Sequence, residues 1–279
     1  MLTKDKAICI RAVDYSETSQ IVTLFTRATG KIGAIAKGSK RPRSSFGGPI
    51  EIFSHGKIVF SDPNREKLAT LTELAPALAF EPVPVQPPSL LSQESAEVQV
   101  RKRGGISKNL FALNCCLFGA ELLDKFTHNY DPHPQLFDGF LEFLQNTHNA
   151  EKNSEIFALL ILFQLTLLKE VGLQPVLNAC ANCKTGIACP ELGRRERRVY
   201  FCSSANGLIC RDCEGSFPDK VSLSRTAANC LGNLKLLEVS NEKTLKEIEG
   251  ILIHHLTELL GHKPKMAKHI LDPPAFLVS

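Results

Sequence analysis

The sequence predicts an α+β protein of several domains, with a small β-barrel at the front, an all-α helical body and a cysteine-rich insert within that body. Three observations predict this order. Short runs rich in Val, Ile, Thr and Phe fill the front, the apolar period then becomes helical, and two Cys-x-x-Cys pairs follow a strongly apolar stretch. At 279 residues the chain is long enough for two or three small domains.

The barrel is predicted for residues 1–78. Apolar and β-branched residues alternate over short runs, and no helical period is present. Gly30 lies in the predicted turn Ala28–Lys31, where its freedom to take a positive φ suits a tight turn. Five short strands in about 75 residues fit an oligonucleotide-binding (OB) fold. The predicted strands are Asp5–Val13, Gln20–Arg27, Lys31–Lys37, Ile50–Phe60 and Lys67–Leu74.

A proline-rich stretch separates the barrel from the helical domain. Five prolines fall between residues 76 and 88, a density that prevents regular helix or strand pairing. Residues 79–92 therefore predict a stiff linker. From there on the apolar residues recur at helical spacing, which predicts one all-α domain built from residues 93–175 and 218–262.

Five helical segments and a tail are predicted from the apolar pattern of this domain, and the first two carry apolar faces at Leu110–Leu123 and Phe137–Leu144. Asn153–Val171 is apolar almost all round, which predicts a central buried helix, and Gly172 supplies its stop. Ser222–Val239 and Glu242–Leu260 predict two further helices. Residues 263–279 contain three prolines and predict a tail that frays.

Residues 176–217 form the predicted insert and hold the strongest local signal, two identical Cys-x-x-Cys pairs. Each pair can form a knuckle whose two thiolates point at one ion, and two knuckles complete a tetrahedral site. The gap of 26 residues is longer than in most zinc ribbons, and a longer hairpin would absorb it. Thiolates in all four positions leave no place for a reacting water, so we predict a structural Zn²⁺. The predicted ligands are Cys180, Cys183, Cys210 and Cys213.

Two other interpretations of these cysteines remain open. A redox Cys-x-x-Cys would need one pair at the start of a helix in a strand–helix unit, and neither pair has that setting. Unrelated buried thiols are the plain alternative. Cys189 and Cys202 also lie in the insert, so six cysteines offer more than one set of four, although neither has a second cysteine at knuckle spacing.

Positive charge is concentrated at the front of the chain. The net charge is +4, yet the first 80 residues carry 12 Lys and Arg against seven Asp and Glu. No acidic residue occurs among the 33 residues between Glu17 and Glu51. This asymmetry favours a polyanion as the partner of the barrel.

Within the acid-free stretch, residues 37–48 predict a nucleic-acid-binding loop. The loop offers cations, hydroxyls and glycines that let the backbone approach phosphates, and Phe46 can stack on a base or pack in the barrel. A solvated surface loop is the plain alternative, as it is for the basic clusters at 101–103 and 194–198. The expected phosphate contacts are Lys37, Lys40, Arg41 and Arg43, with Arg11 and Lys31 behind them.

Motifs for catalysis and for membrane insertion are absent from the sequence. It has no Walker-type glycine loop, no Gly-x-Ser-x-Gly and no paired acids at catalytic spacing, so we do not expect an enzyme. His254 and His255 are neighbours on a predicted helix and face different directions. The apolar stretches are too short or interrupted for a bilayer and no signal-peptide core is present, so we expect a cytoplasmic protein without membrane contact.

Several segments of the front half carry a family resemblance. They are Asp14–Glu17, Ile21–Thr26, Gly30–Lys31, Ala36–Gly38 and Arg41–Gly48. Together they resemble the RecO family of DNA repair and recombination mediators. The proline-rich link, the helical body and the first Cys-x-x-Cys pair after a buried helix also follow the layout of that family. The likeness spans about residues 5–215 and is strongest at the front.

The resemblance implies an N-terminal OB fold, a helical domain and a zinc module. It implies a protein at the nucleoid that binds single- and double-stranded DNA and anneals complementary strands without ATP. It also implies work with RecR, in some members with RecF, and with the single-strand-binding protein, so that RecA can load. Two other classes remain open, a protein-interaction scaffold whose barrel binds a partner and an RNA-binding zinc-ribbon protein.

Overall fold

The computed structural model describes residues 2–41, 43–61, 68–76, 110–187 and 198–271. The predicted linker at 79–92 and the basic residues at 101–103 and 194–197 lie outside these ranges.

The chain forms two compact units. One is drawn from Met1–Cys116 and Phe126–His148, and the other from Leu117–Lys125 and Asn149–Ser279. Residues 126–148, which we assigned to the helical domain, therefore group with the barrel. The predicted domain bounds themselves stay a prediction.

The first unit is built on five strands that close into a barrel. The strands are β1 (Leu2–Asp14), β2 (Gln20–Thr26), β3 (Gly30–Ala36), β4 (His55–Ser61) and β5 (Ala69–Pro76). Strand β1 is long enough to pair with β4 through its first half and with β2 through its second, which closes the sheet in the order β1-β2-β3-β5-β4. Strands β3 and β5 run parallel, and the other neighbours run antiparallel. The predicted OB-type barrel is confirmed.

Alternation places one face of the strands in the barrel interior. Val22 and Leu24 of β2 are buried there together with Ile32 of β3. Ile58 and Phe60 of β4 belong to the same core. Their burial removes apolar surface from water, which is the main force that stabilises the barrel.

The fourth strand is shorter than predicted. We predicted Ile50–Phe60, but the strand begins at His55. Phe53 takes a φ of 68°, which a regular strand does not accommodate, and its amide donates to the carbonyl of Cys9 at 2.7 Å. The residues before His55 therefore form a loop held against β1.

A helix covers part of the outer surface of the barrel. The described α-helices are α1 (Leu110–Phe126), α2 (Pro134–Asn149), α3 (Asn153–Glu170), α4 (Arg225–Gly232) and α5 (Glu242–Leu260). In the first unit, the ring centroids of Phe25 and Phe137 lie 6.2 Å apart, and those of Phe53 and Phe140 lie 6.4 Å apart. Phe137 and Phe140 belong to α2, so this helix packs on aromatic residues of the barrel and its loop.

The loop before α2 is fastened to β3. The amide of Tyr130 donates to the carbonyl of Lys31 at 3.0 Å. Gly30 has a φ of 85°, and a Cβ at this position would collide with the backbone of Asp131. Glycine is therefore required at residue 30 both for the turn and for the close approach of the loop.

The second unit combines a buried helix with a small sheet. Helix α3 has an almost wholly buried surface and packs against α5, as its apolar pattern predicted. Gly172, with a φ of 77°, follows its end as predicted. The sheet has the order β7-β6-β8, where β6 is Val199–Cys202, β7 is Gly207–Cys210 and β8 is Val221–Leu223.

Two expectations for the last 60 residues were wrong. The helix predicted for Ser222–Val239 is divided into strand β8, helix α4 and a 3₁₀ turn at Leu234–Leu237, because Ser224 caps α4 and the helix stops at Gly232. The predicted tail does not fray through Leu271, since a 3₁₀ turn at Lys265–His269 packs with Ala267 and Ile270 buried.

Candidate nucleic-acid interface and metal centre

Residues 37–48, here called the basic loop, are held in place by the buried side chain of Gln20. Its Oε1 accepts hydrogen bonds from the Ser39 hydroxyl at 2.9 Å and from the Ile50 amide at 2.8 Å. Its Nε2 donates to the Ile50 carbonyl at 3.2 Å. One side chain at the start of β2 therefore holds Ser39, near the front of the basic loop, and Ile50, two residues after its end.

Further hydrogen bonds shape the basic loop from within and from its neighbours. The amide of Gly38 donates to the Ser19 hydroxyl at 3.2 Å, and the amide of Lys40 donates to the Thr18 carbonyl at 3.1 Å. The Ser45 hydroxyl donates to the Thr72 carbonyl at 2.9 Å. A loop that is already ordered loses less conformational entropy on binding a ligand.

Four of the six predicted DNA-binding residues present exposed charge, and a fifth is paired. Lys40 forms a 2.7 Å ion pair with Asp14 and keeps 28% of its side chain exposed. Among the described residues, no carboxylate forms an ion pair with the other exposed cations of this group. Those cations are Arg11, Lys37, Arg41 and Arg43.

The sixth cation, Lys31, and the aromatic candidate of the basic loop, Phe46, are both buried. Lys31 is only 8% exposed, which makes it the least accessible of the six cations. The ring of Phe46 packs in the barrel core and is 8% exposed, so the packing alternative describes it. Lys31 lies in β3 and Phe46 in the basic loop, and each exposes little surface to a ligand.

Sequence reasoning missed an exposed aromatic residue next to the basic loop. Tyr15 is 63% exposed in the turn between β1 and β2, where its amide donates to the Ser19 carbonyl at 3.0 Å. The neighbouring Asp14 pairs with Lys40, so the turn and the basic loop are adjacent. The available signal was an aromatic residue among polar ones, and a base can stack on such a ring.

The four predicted cysteine ligands converge at one point of the second unit. Their Sγ atoms all lie within 4.8 Å of one another, and those of Cys183 and Cys210 are 3.6 Å apart. A zinc–sulfur bond of about 2.3 Å would place the sulfurs of a regular tetrahedron roughly 3.8 Å apart. The donor set and its spacing therefore fit a metal ion. The four residues are Cys180, Cys183, Cys210 and Cys213.

Backbone geometry brings the two knuckles together. In the first, the amide of Lys184 donates to the Cys180 carbonyl at 2.9 Å, and Lys184 has a φ of 63°. The second begins at the end of β7, where the amide of Cys210 donates to the Sγ of Cys180 at 3.4 Å. The Asn182 side chain donates to the Sγ of Cys213 at 3.3 Å. Amides that donate to the sulfurs favour thiolates.

The thiols of the cluster ionise unequally when no cation is bound. Hydrogen bonds with the side chain and backbone of Thr185 lower the pKa of Cys183 to about 6. Burial raises the pKa of Cys210 to about 12. Burial also opposes the ionisation of Cys180, but donating backbone amides outweigh it and lower its pKa. A metal ion would hold all four sulfurs as thiolates because its charge offsets their repulsion.

Cys202 serves a different structural role from the four clustered cysteines. Its thiol donates to Asp219 at 3.1 Å, and the Ser204 hydroxyl and amide donate to the same carboxylate at 2.9 and 3.0 Å. These bonds, led by that of the Ser204 amide, lower the pKa of Asp219 to about 2. Cys189 lies outside the described residues.

Comparison with known proteins assigns the front and the rear of the chain to one family. The family model described as "Recombination protein O N terminal" matches residues 1–80, and the one described as "Recombination protein O C terminal" matches residues 107–268. The chain belongs to the RecO family. The first match contains the basic loop and the second contains all four clustered cysteines.

Individual RecO relatives resemble the chain over nearly its whole length. A protein of Bacillus pumilus (strain SAFR-032) named DNA repair protein RecO is 28% identical over 94% of this chain and 90% of its own length. A protein of the same name from Anaeromyxobacter dehalogenans (strain 2CP-C) is 30% identical over 95% and 94%. Within the described residues, no helix is both long and apolar enough to cross a membrane.

Proposed function

We propose that this RecO-family chain is a recombination mediator in DNA repair. It binds single- and double-stranded DNA, anneals complementary strands without ATP and helps load the RecA recombinase onto DNA coated with single-strand-binding protein. It acts as a non-enzymatic binding protein in the cytoplasm, at the nucleoid. RecR, single-strand-binding protein and, in some settings, RecF are its partners, as the family resemblance implies.

The observation that carries this proposal is an ordered, exposed basic loop on an OB-type barrel. Arg11, Lys37, Arg41 and Arg43 present charge that no described carboxylate pairs. Each phosphate that such a cation neutralises releases a counterion, which supplies most of the affinity for a nucleic acid without regard to sequence. Neutralised strands also repel one another less, so complementary strands meet more easily.

Tyr15 gives the same surface a place for bases. Its exposed ring lies beside the basic loop, and stacking on an aromatic ring is worth about 1–3 kcal/mol per base with little sequence preference. We expect Tyr15→Ala to weaken single-strand binding by about 5- to 150-fold, the range that this stacking energy corresponds to, whereas Tyr15→Phe keeps it. Equal losses in both variants would show that the hydroxyl, and not the ring, is used.

We propose that the metal at the cysteine cluster is Zn²⁺ with a structural role. Four thiolates suit Zn²⁺, and a closed set of protein ligands leaves no open position for chemistry. The ion would join the first knuckle to the end of β7 and so stabilise the small sheet.

The annealing activity is tested with two complementary labelled oligonucleotides coated with single-strand-binding protein, in the absence of nucleotide. We expect the full-length protein to accelerate annealing, and the acceleration to fade as salt is raised. No acceleration at low salt by folded, zinc-loaded protein would contradict the proposal. Binding that survives high salt would favour the scaffold class, and preference for RNA of the same sequence would favour the RNA-binding class.

Charge-reversal variants of the basic loop test whether it is the DNA-binding surface. We expect Lys37→Glu with Arg41→Glu to weaken single-strand binding and to flatten its salt slope by about 1.4, at roughly 0.7 per lost phosphate contact. The matched control is Lys169→Glu with Lys243→Glu, two exposed lysines of helices α3 and α5. Equal behaviour of the two double variants would remove the basic loop from the binding surface.

A further inference from the structure

The barrel carries a second basic surface, an open groove of about 480 Å³ beside the turn between β2 and β3. Four cations line this groove, three of them from β1 and β4. Ile58 and Val59 of β4 also line it. The four cations are Lys4, Lys6, Arg27 and Lys57.

Three acidic residues lie at or beside the groove, and one of them, Asp138, pairs with the groove cation Arg27, so the excess positive charge comes from the three lysines. Asp5 accepts from the Thr29 hydroxyl at 2.8 Å and from the Ala28 amide at 3.1 Å. Asp138 binds Arg27 through two hydrogen bonds of 2.8 and 2.9 Å. Glu73 is exposed on β5.

The three lysines, Lys4, Lys6 and Lys57, have no ion pair with any described carboxylate. Lys6 and Lys57 are moreover direct partners in the β1–β4 register. Like charges placed directly opposite each other destabilise a sheet. A polyanion bound at this surface would offset the repulsion between Lys6 and Lys57.

The position of the groove separates it from the basic loop. Arg27 follows the end of β2, whereas Lys37 follows the end of β3, so the two basic surfaces lie at opposite ends of this hairpin. Seven paired residues span the hairpin, which corresponds to roughly 20 Å at about 3.3 Å per residue. One end can therefore hold a strand without occupying the other.

We propose that this groove, here called the second-strand groove, binds the phosphate backbone of a second nucleic-acid strand while the basic loop holds the first. The inference rests on the proposed function, because annealing needs two strands on one surface. Lys4, Lys6 and Lys57 supply the charge, and the lack of aromatic residues in the lining matches a contact with phosphates rather than with bases.

The test measures whether one protein holds two strands at once. Two oligo-dT strands, one with a donor and one with an acceptor fluorophore, cannot pair with each other, so energy transfer between them reports simultaneous binding to the full-length, zinc-loaded protein. The variants are Lys6→Glu with Lys57→Glu, and the neutral pair Lys6→Gln with Lys57→Gln. The control is Lys169→Gln with Lys243→Gln on the second unit.

We expect both groove variants to bind the first strand within about twofold of the unaltered protein and to bind the second at least tenfold more weakly. The salt slope of second-strand binding should fall by about 1.4 for the loss of two phosphate contacts. The neutral variant should also unfold at a higher temperature, since it removes the Lys6–Lys57 repulsion. It keeps the test valid if the acidic variant does not fold.

Other outcomes would overturn the inference and leave the proposed function intact. Unchanged energy transfer and annealing in the groove variants would show that the groove holds no strand. Loss of first-strand binding in them would make the groove part of one continuous path. Intact two-strand capture with a lost response to protein-coated DNA would assign the groove to a protein partner. Failure of the proposed function would give a different result. In that case the basic-loop variant, Lys37→Glu with Arg41→Glu, would bind DNA as well as the unaltered protein.

Discussion

Two buried glutamines, one in each unit, show opposite ways of placing a polar group inside the protein. Gln20 uses both ends of its amide, with three hydrogen bonds to Ser39 and Ile50. Gln164 forms one bond, from its Nε2 to Glu249 at 2.6 Å. Among the described residues, Oε1 of Gln164 and Oε2 of Glu249 have no partner.

The two glutamines therefore have different consequences. Gln20 positions a loop, whereas Gln164 contacts a carboxyl group that makes stability depend on pH. Because both polar atoms of the Gln20 amide have partners, Gln20 fixes the basic loop at little cost in unpaired polar groups. Burial raises the pKa of Glu249 to about 8, against which the bond from Gln164 acts only in part. A neutral Glu249 carries an O–H that can donate, so the acid suits this site better than the carboxylate.

The largest effect is expected at the cysteine cluster, where a metal ion would join four sulfur atoms from two separate segments. Removing the ion with a chelator leaves four crowded thiols, and we expect the sheet of β6, β7 and β8 to loosen. Limited proteolysis should then cut faster within 176–223, while the barrel stays protected. Unchanged proteolysis after verified metal loss would contradict a structural role. Single Cys183→Ser protein should bind less than one zinc per chain.

Gln20→Leu removes the three hydrogen bonds of the glutamine in the first unit. We expect a loss of about 1–3 kcal/mol of stability for each buried group left without its partner, together with weaker DNA binding, because the basic loop is released. Thermal unfolding and single-strand affinity measure the two effects. Gln164→Leu is the matched control, since it should lower stability and leave DNA binding unchanged. A DNA-binding loss of equal size in both variants would show general unfolding.

Glu249→Gln removes the titrating carboxyl group that Gln164 contacts in the second unit. In the unaltered protein the folded state keeps a proton that the unfolded state releases above about pH 4.5, so this group makes stability fall between about pH 4.5 and 8. Glu249→Gln should flatten that decline, and its advantage should grow up to pH 8 and then stay constant. Chemical denaturation across this range measures it. Parallel curves for the two proteins would contradict the raised pKa.

Ser39→Ala is expected to give the smallest effect. It deletes one of the two donors to Oε1 of Gln20 and leaves the Ile50 amide in place. A loss of about 1 kcal/mol in stability is expected, with a small decrease in DNA affinity. Denaturation and binding of the same protein preparation measure both. A loss as large as that of Gln20→Leu would mean that the hydroxyl, and not the amide, anchors the basic loop.

Local patterns predicted those parts of the fold that local patterns control. Strands β2 and β3 begin within a residue of their predicted positions because alternation and the Gly30 turn mark them. The start of β4 depends on the bond between Phe53 and Cys9, which are distant in sequence, and no local pattern contains it. The apolar spacing of Ser222–Val239 predicted one helix, but a short strand followed by a short helix carries the same spacing.

The candidate site divides in the same way. Knuckle spacing predicted the four cysteines because both members of a pair lie on one turn of backbone. Charge alone could not show that Lys31 is buried or that Asp14 pairs with Lys40, since both depend on tertiary packing. Gln20 and Tyr15 carry no sequence signal beyond a polar strand start and an aromatic residue in a turn.

The packing of α2 on the barrel determines which fragment of this protein can be produced alone. A fragment cut at residue 78 would lack Phe137 and Phe140, and would uncover the rings of Phe25 and Phe53 that they contact. Such an aromatic patch promotes aggregation in dilute buffer. A fragment that continues to His148 keeps this cover, but it also contains Leu117–Lys125, whose buried Leu122 and Leu123 group with the second unit and call for polar replacements in such a fragment.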